Sequence, residues 1–377
     1  MATYAQLDEH YGYLADTRRT ELFRKAIQDT LQPGDTVLDL GCGTGILGLL
    51  CLEAGAGHVT FLDETEMIDV AQRSMQNAGF IEKCTFIQER STQATIPERV
   101  DLIVCDNVGY FGIDYSVLVA LKDAKDRFLK PDGRLIPKTL RLYAGLADSP
   151  VRPTPVSRWR QPEIPDCFHW LSTLSANYKW PVKDSEIALL SEATQLTEFS
   201  LGDDSPDFAN FSQEMSVVES GVSSGIVGWF EANLSSEVVM TNCPTSPNRI
   251  DRPQAFFSFG AGLTLDRGES VKASIKTRLD DDIWVWQAEV RKGGARCMHS
   301  TLNAITRAQL QLSQKDQPMT LSKRAQISKA VLTFCDGHRS AEEIEELVVS
   351  RHGNLFATEH ALRTAIRRDL ARFTDSM

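Results

Sequence analysis

The chain has 377 residues, of which 42% are hydrophobic and 24% are charged, and its formal net charge at pH 7 is −11. This length exceeds what one hydrophobic core usually serves, so we expect two or three domains of an ordinary globular protein. The acidic balance disfavours a protein whose whole surface binds nucleic acid. The sequence shows neither a secretion signal nor an apolar run long enough to span a bilayer, so we expect no membrane partner.

Eight cysteines are scattered along the chain, with no C-x-x-C pair among them. This spacing argues against a disulfide framework and against a zinc site, and no metal is expected. A reducing, cytoplasmic setting fits this cysteine usage best.

The first third of the chain alternates short aliphatic runs with helical patterns. The strand-like runs are TVLDL, HVTFLD, CTFIQE, VDLIVCD and GRLIP. The helix-like stretches between them are TELFRKAIQDTL, GILGLLCLEAG, MIDVAQRSMQNAG and YSVLVALKDAKDRFL. Strands that alternate with helices predict βαβ units and a parallel sheet, and we assign this α/β domain to residues 1–147.

The remaining sequence changes character twice. Residues 148–299 begin with a proline-rich stretch and continue with β-patterned segments such as SGIVGWFEANL, QAFFSFGAGLTL, ESVKASIKTRL and IWVWQAEVR. They predict a β-barrel-like or sandwich domain. Residues 300–377 are helical again, with a capping box at Ser340 and Glu343, and predict a small third domain.

A glycine-rich loop follows the first strand in VLDLGCGTGILGLL. Its glycines are Gly41, Gly43 and Gly45. A helix starts directly after them, so bare backbone can approach a ligand at the carboxyl end of the sheet. Such a loop alone could be only a tight turn. The next strand, however, ends in Asp63, where an acid can accept hydrogen bonds from both hydroxyls of a ribose.

With Asp39 ahead of it, the D-x-G-x-G-x-G loop resembles the first motif of class I S-adenosylmethionine-dependent methyltransferases. The chain resembles a divergent protein arginine methyltransferase over about residues 4–297. This resemblance rests on the glycine loop, on Tyr4-Ala5, His10, Asp16 and Arg19 ahead of it, and on DNVGYF followed by a second acid. This resemblance implies a Rossmann-like domain that binds S-adenosyl-L-methionine. The cofactor-binding residues that it implies are Tyr4, which covers the cofactor, Arg19, which holds the methionine carboxylate, Asp39, Gly41, Gly43, Gly45, Asp63, Ser91 and Thr92.

The resemblance also gives a role to the two acids of the loop CDNVGYFGID. In the family, two glutamates of this loop clamp the planar guanidinium of a substrate arginine, and Asp106 and Asp114 stand at their places. Paired carboxylates would fix the guanidinium plane and offset its charge, which leaves one nitrogen aimed at the methyl group. The implied catalytic residues are Asp106, Asp114 and His10, and the implied substrate-binding residues are Tyr13, Asp16 and Tyr110.

Several positions depart from the family pattern. Each aspartate is one methylene shorter than glutamate, roughly 1.5 Å of reach. Where the family has a Thr-His-Trp loop, this chain has Ile250-Asp251-Arg252, so we expect Asp16 to pair with Arg252 or Arg249 in place of the family histidine. The substrate pocket is therefore expected to be rebuilt, and Tyr13 to restrict how many methyl groups fit.

Plainer roles stand beside these. Asp114 precedes a helix and could be its N-cap, while Asp106 could be an ordinary loop residue at a strand end. His10 could be a structural hydrogen-bonding residue, and Tyr4 and Tyr13 packing aromatics.

The C-terminal helices resemble a winged helix, and more narrowly the peptide-recognition domains of enzymes that modify ribosomally made peptides. Four arginines on the last helix can form a basic strip, either as a solvated face or as a docking surface for an acidic leader peptide, with nucleic acid a weaker alternative: Arg363, Arg367, Arg368 and Arg372.

The sequence thus predicts an S-adenosylmethionine-dependent N-methyltransferase that acts on a side chain of a protein or peptide, with arginine as first candidate and a homodimer as expected assembly. Histidine or another nitrogen in a peptide or small molecule, and a catalytically inactive cofactor-binding scaffold, are the alternatives.

Overall fold

The chain forms two compact units, residues 1–305 and residues 306–377. The computed structural model describes residues 4–148, 154–183, 187–204, 206, 208–278, 283–291, 293–304, 320–353 and 358–374. In the described part of the chain, no helix has the length and apolar content needed to cross a membrane.

A five-stranded parallel sheet lies at the start of the first unit. Its strands are β1 (Thr36–Leu40), β2 (His58–Asp63), β3 (Cys84–Gln88), β4 (Val100–Cys105) and β5 (Leu129–Ile136), in the order β3-β2-β1-β4-β5. The helices are α1 (Tyr4–Ala15), α2 (Thr17–Thr30), α3 (Ile46–Glu53), α4 (Met67–Ala78) and α5 (Val117–Phe128). All four strand pairs are parallel, as the alternating pattern predicts.

The register of this sheet aligns three strand ends. Leu40 pairs with Leu62 on β2 and with Cys105 on β4. The strand order reverses between β1 and β4, and such a switch point opens a crevice at the carboxyl ends of the strands. The residues that follow β1 and β4, and the last residue of β2, therefore meet at one edge of the sheet.

Two antiparallel sheets complete the first unit. A seven-stranded sheet has the path β7-β13-β11-β6-β8, with β12 paired to β11 and β9 to β6, and a four-stranded sheet has the order β10-β14-β15-β16. The strands are β6 (Thr139–Asp148), β7 (Lys179–Val182), β8 (Ala188–Leu189), β9 (Thr194–Ser200), β10 (Phe208–Ser216), β11 (Gly221–Asn233), β12 (Val239–Thr241), β13 (Gln254–Leu265), β14 (Ser270–Arg278), β15 (Ile283–Val290) and β16 (Arg296–Ser300). A short helix, α6 (Leu171–Ser175), lies between β6 and β7.

One cluster of buried apolar side chains runs from Phe23 on α2 to Val290 on β15. Parallel and antiparallel sheets both contribute to it, and β6 already belongs to the antiparallel part. The predicted fold class, a Rossmann-like sheet followed by a barrel-like β region and C-terminal helices, is confirmed. The predicted boundary at residues 147 and 148 stays a prediction.

The second unit contains α7 (Lys323–Phe334), α8 (Ala341–His352) and α9 (Glu359–Phe373). Its core consists of buried side chains from all three helices, such as Ile327, Ile344 and Ile366. The capping box at Ser340 and Glu343 is present at the start of α8.

The predicted basic strip on α9 is partly neutralised within this unit. Arg363 and Arg367 both form ion pairs with Glu345 on α8. Arg368 is exposed, and the side chain of Arg372 lies outside the described residues. An acidic peptide would therefore meet less positive charge on this face than the sequence alone suggests.

Candidate active site

A cavity of about 590 Å³ opens at the shared edge of β1, β2 and β4. The predicted site residues that line it are His10, Tyr13, Arg19, Asp39, Gly41, Gly43, Asp63, Ser91, Thr92 and Asp106. The predicted residues outside its lining are Asp16, Gly45, Tyr110 and Asp114. Tyr4 begins α1, and its side chain lies outside the described residues.

At two positions of the glycine loop, neighbouring side chains come so close that only glycine fits. Gly41 and Gly43 have φ angles of 69° and 52°. A Cβ at Gly41 would lie 2.4 Å from Asn107 Nδ2, and a Cβ at Gly43 would lie 2.6 Å from Cε1 of His10. A side chain at either position would therefore clash with the cavity wall as well as strain the backbone. Gly45 instead faces the protein interior, against Ala71 and Phe61.

Asp63, the last residue of β2, lines the cavity and holds the glycine loop by hydrogen bonds. Its Oδ2 accepts a hydrogen bond of 2.8 Å from the backbone N–H of Gly43, and its Oδ1 accepts bonds from the backbone N–H and the hydroxyl of Thr65. One carboxylate thus holds the glycine loop against β2, and it retains acceptor capacity on its cavity side.

Asp39 lies under the glycine loop and is buried. Its Oδ2 accepts a hydrogen bond from the backbone N–H of Gly48, whereas its Oδ1 has no hydrogen-bond partner among the described residues. Burial raises the pKa of Asp39 to about 7, because the charged form is poorly solvated there. An unpartnered, buried carboxylate oxygen beside a cavity is suited to a cationic group of a ligand.

This raised pKa predicts a pH-dependent stability of the ligand-free protein. The folded pKa of about 7 lies above the unfolded value of 3.8, so the folded state holds a proton that the unfolded state releases between these pH values. The free energy of unfolding should then fall as pH rises from 4 to 7, by up to about 4 kcal/mol relative to Asp39→Asn. Denaturant titrations of both proteins across this range measure the difference, and parallel curves would contradict the assignment.

Asp106, directly after β4, is held by two guanidinium groups. Arg19 Nε donates to its Oδ2, and Arg252 donates from Nη2 to Oδ2 at 2.9 Å and from Nη1 to Oδ1 at 3.4 Å. All three side chains are less than a tenth exposed. Burial raises the pKa of Asp106, but Arg19 and Arg252 outweigh it and hold the pKa below its usual value. The carboxylate is therefore ionised, and its charge is already compensated from within the chain.

Asp114, unlike Asp106, is not among the residues that line the cavity. It is buried, its Oδ2 accepts a hydrogen bond of 2.7 Å from the backbone N–H of Phe111, and its Oδ1 forms an ion pair with Lys179 on β7. The ammonium of Lys179 also lies 4.1 Å from the centre of the Trp284 ring. The alternative role of Asp114 as the N-cap of α5 is wrong, because Ser116 occupies that position. Asp114 instead closes the loop and ties it to the antiparallel sheet.

The remaining predicted residues take defined places around the cavity. His10 contacts Tyr13 edge to face, with ring centres 5.9 Å apart. The Tyr13 ring lies 5.6 Å from the guanidinium carbons of both Arg19 and Arg252. Burial raises the pKa of Tyr13 to about 12, so its hydroxyl stays protonated at neutral pH. The carbonyl of Tyr110 accepts a hydrogen bond from Asn242 Nδ2.

Asp16 takes a structural role beside this site. It caps α2 by accepting a hydrogen bond from the backbone N–H of Arg19, and its Oδ2 accepts a bond of 2.9 Å from the backbone N–H of Asp251. Arg252, one of its two expected partners, forms its ion pair with Asp106.

Comparison with known proteins adds the family. A model described as "Methyltransferase domain" matches residues 37–133. The chain is 28% identical to protein arginine N-methyltransferase 1 of Schizosaccharomyces pombe over 283 residues, which covers 72% of this chain and 82% of that protein. The chain is thus similar to protein arginine methyltransferases over most of its length. A probable protein arginine N-methyltransferase 6 of Arabidopsis thaliana is 34% identical over 152 residues, 40% of this chain and 35% of that protein, so the match spans about a third of that relative.

A solved structure has the same fold. The Trypanosoma brucei PRMT1 enzyme-prozyme heterotetrameric complex with AdoHcy superposes with a TM-score of 0.66 at 20% identity, covering 77% of this chain and 96% of that chain. S-adenosylmethionine, the cofactor that the methyltransferase model and the AdoHcy-bound neighbour indicate, fits the residues present here. The glycine loop leaves its backbone bare, Asp63 lies at the end of β2, and Asp39 offers an unpartnered oxygen beside the cavity.

The sequence does not predict the cation that pairs with either loop acid, because Lys179 has no signal of its own and Arg252 is expected beside Asp16. Lys179 and Arg252 lie 65 and 146 positions from the acids that they neutralise. The sequence between Thr241 and Gln254 departs from the family pattern and so predicts an altered substrate pocket. Only the three-dimensional structure identifies the partner of each acid.

Proposed function

We propose that this chain transfers a methyl group from S-adenosylmethionine to a nitrogen atom of a side chain in a protein or peptide, with arginine as the first acceptor. The observation that carries the proposal is the meeting of Asp39, Asp63 and Asp106 around one cavity at the ends of three neighbouring strands. Bound S-adenosylmethionine supplies a methyl group already activated by a positive sulfur, so the protein's contribution is to bind and orient.

Each cavity residue has a task in this proposal. Asp63 accepts hydrogen bonds from the ribose, Asp39 faces the amino group, and Arg19 pairs with the carboxylate of the cofactor. Asp106 orients the accepting nitrogen and compensates the charge that develops on it. Tyr13 limits the space beside that nitrogen, because its ring lies 5.6 Å from the guanidinium carbons of both Arg19 and Arg252. When Arg19 pairs with the cofactor, Asp106 keeps Arg252 as its partner.

Intact-mass measurement of candidate peptides tests the proposal. Peptides with a single arginine, their arginine-to-lysine counterparts and histidine-containing peptides are incubated with and without S-adenosylmethionine, and each added methyl group is mapped by fragmentation. We expect mass gains of one methyl group per step on arginine. Gains on histidine or another residue would replace arginine as the acceptor.

One specific observation favours the inactive scaffold as a second candidate. Both loop acids are neutralised within the chain, Asp106 by two arginines and Asp114 by Lys179. A protein that binds S-adenosylmethionine in calorimetry but methylates no arginine, histidine or other nitrogen would have this function.

Removal of the ribose acceptor should weaken cofactor binding. We expect Asp63→Ala to reduce S-adenosylmethionine affinity by about 1.5–3 kcal/mol, the scale for hydrogen bonds to a charged group. The upper part of this range is favoured because Asp63 also fixes the N–H of Gly43. Calorimetry measures the loss, with the exposed Asp132→Ala as matched control. Equal affinities of the two variants would reject this cofactor pose.

A homodimer is the assembly that we propose. Three large aromatic side chains are exposed in the segment 154–183, namely Phe168, Trp170 and Tyr178. We expect light scattering at micromolar concentration to give twice the chain mass of 42.0 kDa, through an isologous interface. Trp170→Glu should shift the mass to a monomer, whereas Phe208→Glu, on β10, should not. A monomeric wild-type protein would contradict the proposal.

For the C-terminal unit we propose docking of a peptide substrate through a leader segment. The support is the helical pattern and the exposed Arg368, while the pairing of Arg363 and Arg367 with Glu345 weakens it.

A further inference from the structure

Arg252 makes the contacts that a bound guanidinium ligand would make. Its two terminal nitrogens donate to both oxygens of Asp106, one at 2.9 Å and one at 3.4 Å, and Nη1 also donates to the carbonyl of Val108. Its guanidinium carbon lies 5.6 Å from the centre of the Tyr13 ring. This is bidentate recognition of a planar cation with an aromatic ring beside it.

The partners of Arg252 are themselves walls of the cavity. Tyr13, Asp106 and Val108 all line it. Arg252 is buried and not itself among the lining residues, so it binds from within the protein the same groups that an acceptor entering the cavity would use. Its side chain is only 8% exposed, so the contact is a buried one and is little screened by solvent.

The local charge balance opposes a second cation. Arg19, Arg252 and Asp106 carry two positive charges and one negative charge in a region almost closed to water. Once the carboxylate of the cofactor pairs with Arg19, Asp106 and Arg252 neutralise each other. Neither of the two loop acids would then be left uncompensated for a cationic acceptor, because Asp114 is also paired, with Lys179.

We propose that Arg252 is a built-in competitor for the acceptor subsite: its guanidinium occupies the place of an acceptor guanidinium on Asp106 and has to leave before an arginine can bind. Arg252 is therefore a specificity-determining residue that raises the apparent KM for arginine acceptors, since only the fraction of molecules with Asp106 released can bind them. This inference rests on the proposed function of the cavity.

Substitution of Arg252 should open the subsite. We expect Arg252→Leu and Arg252→Gln to lower the KM for an arginine-containing peptide at least tenfold, with S-adenosylhomocysteine affinity within twofold of wild type. The glutamine variant retains a hydrogen-bond donor for Asp106, so it provides the test if the leucine variant does not fold. Arg252→Lys keeps a cation on Asp106 and should keep the wild-type KM. Arg291→Leu, which removes an exposed arginine paired with Glu214, is the matched control.

A small guanidine gives a readout that does not depend on turnover. With S-adenosylhomocysteine present, methylguanidine should raise the melting temperature of the leucine and glutamine variants in a saturable way. It should not do so for wild type, Arg252→Lys or Arg291→Leu. Absence of this effect in a folded Arg252→Gln protein, together with an unchanged KM, would overturn the inference.

The outcomes separate this inference from the proposed function. If wild type methylates arginine and Arg252→Gln leaves the KM unchanged, arginine methylation stands and the competitor role of Arg252 is wrong. If Arg252→Gln binds methylguanidine but neither protein methylates arginine, Arg252 does occupy a guanidinium subsite, and the proposed transfer to arginine is wrong.

Discussion

Asp106→Asn should lower both the stability of the protein and its methyl transfer. The carboxylate is the shared counter-ion of Arg19 and Arg252, and asparagine would leave two buried guanidinium groups without one. Loss of one partner from a buried ion pair costs about 3–5 kcal/mol, and we expect the free energy of unfolding to fall by this amount. Turnover should fall by ~100-fold or more, because the oriented charge at the accepting nitrogen is lost. Urea unfolding and single-turnover methylation measure the two effects.

A second substitution separates the two effects of Asp106. The double variant Asp106→Asn/Arg252→Leu lacks one of the two guanidinium groups that Asp106→Asn leaves without a counter-ion. Part of the lost stability should therefore return, while turnover should stay low. Cofactor affinity in the stable double variant serves as the control for folding of the cavity. Wild-type turnover in either variant would remove Asp106 from the mechanism.

The cofactor half of the cavity could be predicted from the sequence because its determinants are local. The glycine loop follows β1 directly, Asp63 ends the next strand, and a parallel sheet aligns such strand ends whatever the rest of the chain does. The sequence also shows that the 250–252 segment departs from the family pattern. The pattern of residues was therefore enough to place Asp39, Asp63 and Asp106 together.

The acceptor half could not be predicted in the same way, because its determinants lie far apart in the chain. The sequence predicts Asp114 as a second clamp residue or a helix cap, but Ser116 takes the cap position and Asp114 pairs with Lys179 outside the cavity lining. Asp114 forms an ion pair with Lys179, the first residue of the antiparallel strand β7. Its surroundings therefore depend on how that strand packs against the loop. Pairings of this kind follow from tertiary register, for which a single sequence has no periodic signal.

Gly109 shows how tightly this loop is built. A Cβ at this glycine would lie 2.3 Å from the Cβ of Asp114, so the backbone passes directly over the acid. The hydrogen bond from Phe111 then closes the loop around it. This close passage leaves no room for a side chain at position 109. Asp114 pairs with Lys179 and is not among the residues that line the cavity.

Lys179→Met should destabilise the protein by about 3–5 kcal/mol, since it leaves the carboxylate of Asp114 buried without its cation. Asp114→Asn should cost a similar amount by stranding the ammonium of Lys179. The double variant should lose clearly less than the sum of the two, because neither charge is then left alone. Urea unfolding of the four proteins gives this coupling energy, and Lys183→Met, at a half-exposed lysine paired with Asp251, is the matched control.

The same four proteins decide whether Asp114 acts on the acceptor. Because Asp114 lies outside the cavity lining and pairs with Lys179, we expect it to support the loop without touching the acceptor. The double variant, once its fold and cofactor affinity are shown to be intact, should retain methyl transfer within about tenfold of wild type, far above the level left by Asp106→Asn. A stable, cofactor-binding double variant without turnover would instead make Asp114 the second carboxylate of the clamp. Lys179 would then be a cation that the acceptor has to displace, as Arg252 is on Asp106.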